Sequence, residues 1–138
     1  MRSSVAGNKV RVLLDTHALL WALVSPRKLT KRVRSLLEDP HTEVFVSSAS
    51  AWEIATKWRL GKLPEAGAVV KDYRDNLITL MAVELAISSE HALLAGRMES
   101  PHRDPFDRML AAQAAIEKLP LVTSDIAFKT FKIRTLWK

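Results

Sequence analysis

The chain has 138 residues, 48% hydrophobic and 26% charged, which are the proportions of one ordinary globular domain with a core of its own. It contains no cysteine, which excludes disulfides, thiolate-bound zinc and iron–sulfur clusters. No apolar run is long enough to cross a bilayer, and the net charge of +6 reads either as a solubilising surface or as the footprint of an acidic partner such as nucleic acid. Met1 to Asn8 lacks the apolar stretch of an export signal. Residues 1–8 are therefore expected to be a flexible N-terminal tail and 9–138 a single domain, with the cytoplasm as the expected compartment and no membrane partner.

Taken in order, Val10-Arg-Val-Leu-Leu14 reads as a short apolar strand. Asp15-Thr16 then opens a helix through Leu19, Leu20, Trp21 and Leu23 that breaks near Ser25-Pro26. Leu29 to Leu37 reads as a helix with Leu29, Val33, Leu36 and Leu37 on one face, stopped by Asp39-Pro40. Val44-Phe45-Val46 is a second strand, and Ser47 or Ser48 caps a helix carrying Trp52, Ile54 and Trp58 that Gly61 closes. A weaker helix lies within Pro64 to Asn76, and Leu77 to Val83 is expected as a third strand. Ser88 or Ser89 caps a helix holding Leu93 and Leu94. Asp104-Pro105 begins the clearest helix of the chain, which runs to about Lys118. Leu121-Val122-Thr123 is a fourth strand, and a turn over Ile126 to Phe131 leads to a fifth, Ile133 to Trp137. Strands separated by helices imply a mostly parallel α/β sheet of four to five strands, with any site at the carboxyl ends of the strands.

Four acids fall at that edge: Asp15, Glu53, Asp107 and Asp125. Each has a structural reading of its own. Asp15 and Asp125 suit helix or turn caps. Glu53 suits an exposed i,i+4 pair with Lys57. Asp104 fits an N-cap before Pro at the first helical position, which leaves the chemical role to Asp107 at N3. As a set, four like charges at one edge need a counter-ion, and oxygen-only ligands favour a hard cation such as Mg²⁺ or Mn²⁺. Thr123 and Ser124 hydroxyls are placed to orient a carboxylate or a water, or to cap. Arg103 and Arg108 read either as partners of a phosphate or, equally well, as solvated or salt-bridged side chains. His17 reads as an ordinary side chain rather than a ligand. Acids around a hard cation on a basic body point to metal-assisted phosphodiester hydrolysis.

The segments Leu-Leu-Asp15-Thr-His-Ala-Leu-Leu-Trp, Ser-Ala-Trp-Glu53-Ile-Ala-Thr-Lys, Gly61-Lys-Leu, His102-Arg-Asp-Pro-Phe-Asp107-Arg, Leu-Val-Thr-Ser-Asp125 and Arg-Thr-Leu-Trp137 occur in that order. Together they resemble the PIN-domain ribonucleases, and most closely the VapC-type toxins of bacterial toxin–antitoxin pairs. The resemblance covers Val10 to Trp137. It implies a PIN-domain-like α/β/α sandwich on a parallel sheet and Mg²⁺- or Mn²⁺-dependent endonucleolytic cleavage of RNA. It carries the family acids onto Asp15, Glu53, Asp107 and Asp125 as metal-binding and catalytic residues, with Thr123 as a supporting hydroxyl and Asp104 as an addition to the site or a cap. It also implies a homodimer and a cognate antitoxin whose tail covers the active site. Trp21, Leu29 or Trp58, if exposed, would accept such a tail; packed, they belong to the core. The family often continues after Gly61-Lys62-Leu63 with a longer, leucine-rich helix pair, whereas Pro64 to Asn76 is short and contains Gly67.

Two rival functions follow from the same residues. One is a non-catalytic RNA- or protein-binding module on this fold, which would have no need of an intact acid set. The other is an acid-cluster fold such as a phosphate-accepting receiver or a phosphomonoesterase. Those chemistries need a paired acid or Asp-x-Asp after the first strand, where this chain has Asp15-Thr16-His17.

Overall fold

The structure is a computed structural model that describes residues 9–138; the tail expected at residues 1–8 lies outside the described residues. Val10–Leu14 forms β1, Thr42–Ser47 β2, Ala82–Leu85 β3, Leu121–Val122 β4 and Thr135–Leu136 β5. They make one sheet in the order β3-β2-β1-β4-β5, and all four pairings are parallel. Parallel neighbours require crossovers, and helices supply them on both faces. The strands therefore alternate between two buried layers rather than between core and water. Val12, Leu14, Val44, Val46 and Val122 point into one cluster, and Leu13 and Leu121 into the other, where Phe45 also packs.

Local signals set most helix starts. Thr16–Val24 forms α1, with Asp15 as its N-cap, and Lys31–Glu38 forms α2, capped by Thr30, whose Oγ1 accepts from Val33 N at 3.1 Å. Ser48–Arg59 forms α3 behind Ser47, and Gly61 takes the left-handed turn just past its end, φ +76°. Ser89–Arg97 (α6) starts with a capping box between Ser88 and His91. Pro105–Glu117 (α7) starts at Asp104, whose Oδ1 accepts from Phe106 N and Asp107 N at 2.9 and 3.0 Å.

The third strand is displaced from its expected place. Gly67–Lys71 and Tyr73–Leu80 are helices, α4 and α5, so Leu77 to Leu80 is helical and the strand begins at Ala82. Tyr73, Leu77 and Leu80 recur at helical spacing and pack together on the first cluster. Met81 at φ 58° then turns the chain into β3. A short apolar run has no intrinsic period, and packing chose the helix. The fourth and fifth strands are shorter than expected, ending at Val122 and Leu136. Leu29 is core, Trp21 packs half-buried against Trp137 with ring centres 5.7 Å apart, and Trp58 is exposed. Among the described residues no helix is long and apolar enough to cross a membrane.

Chain order reverses on either side of β1, since β2 flanks it on one side and β4 on the other. Asp15 N donates to Val122 O at 3.0 Å, and Thr123 N donates to Leu136 O at 3.0 Å. Asp15 and Thr123 thus leave the sheet side by side at the strand-order switch, where open α/β sheets form a crevice.

Candidate active site

Asp15 is placed twice over, by the end of β1 and by the start of α1. Its Oδ1 accepts from Ala18 N at 2.7 Å, and only 4% of the residue is exposed. The Thr123 hydroxyl faces the same carboxylate. Burial pushes the Asp15 pKa up, and the charge of Glu53 pushes the same way. Hydrogen bonds from Thr123 and Ala18, and the nearby His17, oppose that shift. A cap and a desolvated acid are here one side chain.

Glu53 lies in α3 on the face formed by Ala49, Ser50 and Ile54, and is 3% exposed. Taken alone in the sequence it suits the surface. Its neighbour Trp52 occupies the surface instead, at 62% exposed and edge-on to Phe106. Successive helix residues are about 100° apart, so turning Trp52 outward turns Glu53 inward. A buried bond between Thr16 Oγ1 and Ser50 Oγ, 3.0 Å, ties the first turns of α1 and α3 beneath the acids. Glu53 Oε2 accepts from Lys57 Nζ at 2.5 Å, whereas Oε1 is buried with no hydrogen-bond partner.

Asp107 enters from α7, with its Oδ2 2.8 Å from His102 Nε2. Burial, reinforced by the charges of Asp104 and Glu53, raises its pKa to about 6 against the pull of His102. His102 rests edge-on against Phe131 and Phe128, which hold the ring in place. Asp104 caps α7 and adds its charge beside Asp107. The acids that influence one another are therefore Asp15 with Glu53, Glu53 with Asp107, and Asp107 with Asp104.

The remaining candidates stand outside this group. Asp125 is exposed, and its Oδ1 accepts from Ala127 N at 2.9 Å to cap the 3₁₀ turn Ile126–Thr130. It stays linked to the site through its backbone, since Asp125 N donates to Thr123 Oγ1 at 3.0 Å. Ser124 and Asp125 line a cavity of about 350 Å³ whose basic side chains are Arg32, Lys129 and Lys138. Arg103 is exposed at an apolar cleft with Trp52, Pro105 and Phe106. Arg108 is committed to the backbone: its guanidinium donates to the carbonyls of Ala95, Met98, Ser100 and His102, clamping the loop before α7. His17 is exposed beside Trp21.

Among the described residues no three His, Asp or Glu side chains converge tightly enough to enclose an ion as they stand. The donor set nevertheless fits a hard divalent cation. Its members are oxygens, Asp15 is desolvated, and the orphaned Glu53 Oε1 is a buried acceptor in want of a positive partner. Lys57 and His102 are site neighbours that sequence reasoning did not assign to the site, Lys57 being read as one partner of an exposed pair and His102 being given no role. The signal for Lys57 was its i,i+4 spacing from Glu53, which fixes a shared helix face but not whether that face is buried.

Residues 12–133 match the PIN domain family. This chain belongs to the PIN-domain family. A stretch of 31 residues is 52% identical to ribonuclease VapC16 of Mycobacterium tuberculosis (strain ATCC 25618 / H37Rv), and covers 22% of this chain and 22% of that protein. The match thus spans about a fifth of that relative's length. Over the whole fold, the PIN domain superposes on a chain in the crystal structure of VapBC2 from Rickettsia felis bound to a DNA fragment from their promoter. The TM-score is 0.62 at 16% identity, covering 94% of this chain and 100% of that one. At that identity the likeness is one of fold, and the five-stranded parallel sheet agrees with it.

Proposed function

We propose that this PIN domain is a divalent-metal-dependent endoribonuclease that hydrolyses RNA phosphodiester bonds, acting in the cytoplasm as the toxin of a toxin–antitoxin pair. The observation that carries the reading is the buried acid group at the strand-order switch, with an unpartnered Glu53 oxygen inside it. A buried acceptor left without a partner costs stability, and a cation-binding function is a physical reason to keep it. Asp15, Glu53 and Asp107 would hold Mg²⁺ or Mn²⁺, with Asp125 joining from the rim. Such an ion supplies charge neutralisation at phosphorus and a more acidic attacking water.

The chain's own residues do the positioning. Ala18 N and Thr123 aim Asp15, and His102 aims Asp107. A carboxylate held from behind in this way keeps its other oxygen free for the ion. Asp104 caps the first turn of α7, the turn that carries Asp107. Arg32, Lys129 and Lys138, around the cavity beside Asp125, give the phosphates of a bound strand a basic path away from the acids. Ser124 lines this basic cavity and Arg103 the apolar cleft beside Trp52, and both serve binding rather than bond cleavage.

The partners proposed are RNA, a cognate antitoxin and a second copy of the chain. The antitoxin is supported by the structural neighbour, a VapBC assembly, and by an apolar cleft of about 230 Å³ around exposed Trp52. The deciding experiment is RNA cleavage by purified protein with Mg²⁺ or Mn²⁺, beside Asp15→Asn and Asp107→Asn. Discrete cuts by the wild type that vanish with EDTA and in both variants are expected. Equal cutting by all three proteins, or cutting that ignores EDTA, would overturn the reading.

A further inference from the structure

Lys57 stands inside the acid group rather than beside it. Its ammonium donates to Glu53 Oε2, and its side chain is 29% exposed against 4% for that of Glu53. Asp104 and Asp107, at the start of α7, also act on it. Asp15, off β1, is close enough to feel the charge of Glu53. Glu53 is thus the acid that Lys57, on its own helix, and the acids delivered by β1 and α7 have in common.

The two oxygens of Glu53 are in different states. Oε2 carries the ammonium, and Oε1 is buried and unpartnered. A two-ion phosphodiester site places its cations about 3.5–4 Å apart, bridged by shared ligands. In this chain one of the two positions beside Glu53 already carries a covalently tethered positive charge. Together with that ammonium, a single divalent ion balances the charge of Asp15, Glu53 and Asp107.

We infer that Lys57 is the second cation of this site: one divalent ion binds through Glu53 Oε1 with Asp15 and Asp107, and the Lys57 ammonium on Oε2 meets the substrate phosphate where a second ion would otherwise be required. This rests on the ribonuclease reading. It makes Lys57 a catalytic residue and answers how many ions the site takes. Because Lys57 and Glu53 are one turn apart on α3, the ammonium is pre-positioned and stays in place at any metal concentration.

The test counts Mn²⁺ bound to the full-length protein without RNA, by electron paramagnetic resonance of free ion during titration, and measures cleavage across the same titration. Wild type is expected to bind one Mn²⁺ per chain and to show hyperbolic metal activation. Lys57→Met frees Oε2 and is expected to bind two. Its cleavage should fall about 100-fold where only the first ion is bound, and recover as the second fills. Lys57→Arg should keep the single-ion stoichiometry. Two ions in a wild type that cleaves RNA would overturn this inference alone; no ion in the wild type would overturn the metal-nuclease reading with it. A Lys57→Met protein that binds and cuts like the wild type would also overturn it. If that variant does not fold, the wild-type count and Lys57→Arg decide.

Discussion

Asp15 and Asp125 are built alike and end up as different chemical objects. Each follows a parallel strand of the same sheet and N-caps the next element, accepting a backbone N–H at 2.7 Å from Ala18 and 2.9 Å from Ala127. Asp15 caps a nine-residue helix in which Thr16, Ala18, Leu19 and Leu20 are buried, and Glu53 of α3 is close enough to act on it. Asp125 caps a short 3₁₀ turn and faces solvent. The first loses its hydration and feels a second acid; the second keeps its water. Position at the strand edge makes a carboxylate a candidate, and the cover over it decides what it can hold.

The largest effect should separate these two residues. Asp15→Asn should lower RNA cleavage by at least about 100-fold, with the circular dichroism spectrum unchanged. Asp125→Asn should cost no more than about 10-fold. Equal losses, measured as initial rates at saturating metal, would show that the exposed acid does the same work as the buried one.

Asp107 carries the next effect, and it appears in the metal-free protein. Its pKa rises from 3.8 to about 6 on folding, so the folded state holds the proton more tightly than the unfolded chain does. That contribution is complete below pH 3.8 and is lost as pH rises through about 6. Urea melts in EDTA should therefore show stability falling across this window. Asp107→Asn should flatten the fall and be the more stable protein above it, by about 3 kcal/mol at most. Adding Mn²⁺ should reverse the order, because only the wild type has the full carboxylate set to bind it. A variant less stable than wild type at pH 7 in EDTA would mean that the bond with His102 outweighs desolvation.

Two smaller effects test the exposed side. Asp125→Ala should cost about 1 kcal/mol or less, the value of a cap that water can partly replace. Arg32→Ala with Lys129→Ala should leave metal binding alone and make RNA binding less sensitive to salt, with a slope shallower by roughly two, because each phosphate contact releases counterions. An unchanged slope, read from binding isotherms at several salt concentrations, would place the RNA elsewhere.

Much of this molecule was legible one residue at a time. The caps at Asp15, Ser47, Ser88 and Asp104, the breaks at Pro26 and Gly61, and all five strand locations but the third are local signals, since turn chemistry and apolar runs act within a few residues. The acid edge followed from the alternation of strands and helices. What local signals could not supply was burial. Glu53 with Lys57 looks like any solvated helix pair until Trp52 takes the outer face and α7 brings Asp104 and Asp107 opposite. Arg108 looks available until α6 and the loop before α7 present four carbonyls to it. Residues 77–80 suit strand or helix until the core takes their helical face. The chain's own pattern determined which side chains reach the edge of the sheet. Tertiary packing alone decided which of them lost their water, and desolvation is what turns a row of ordinary carboxylates into a candidate site for a cation.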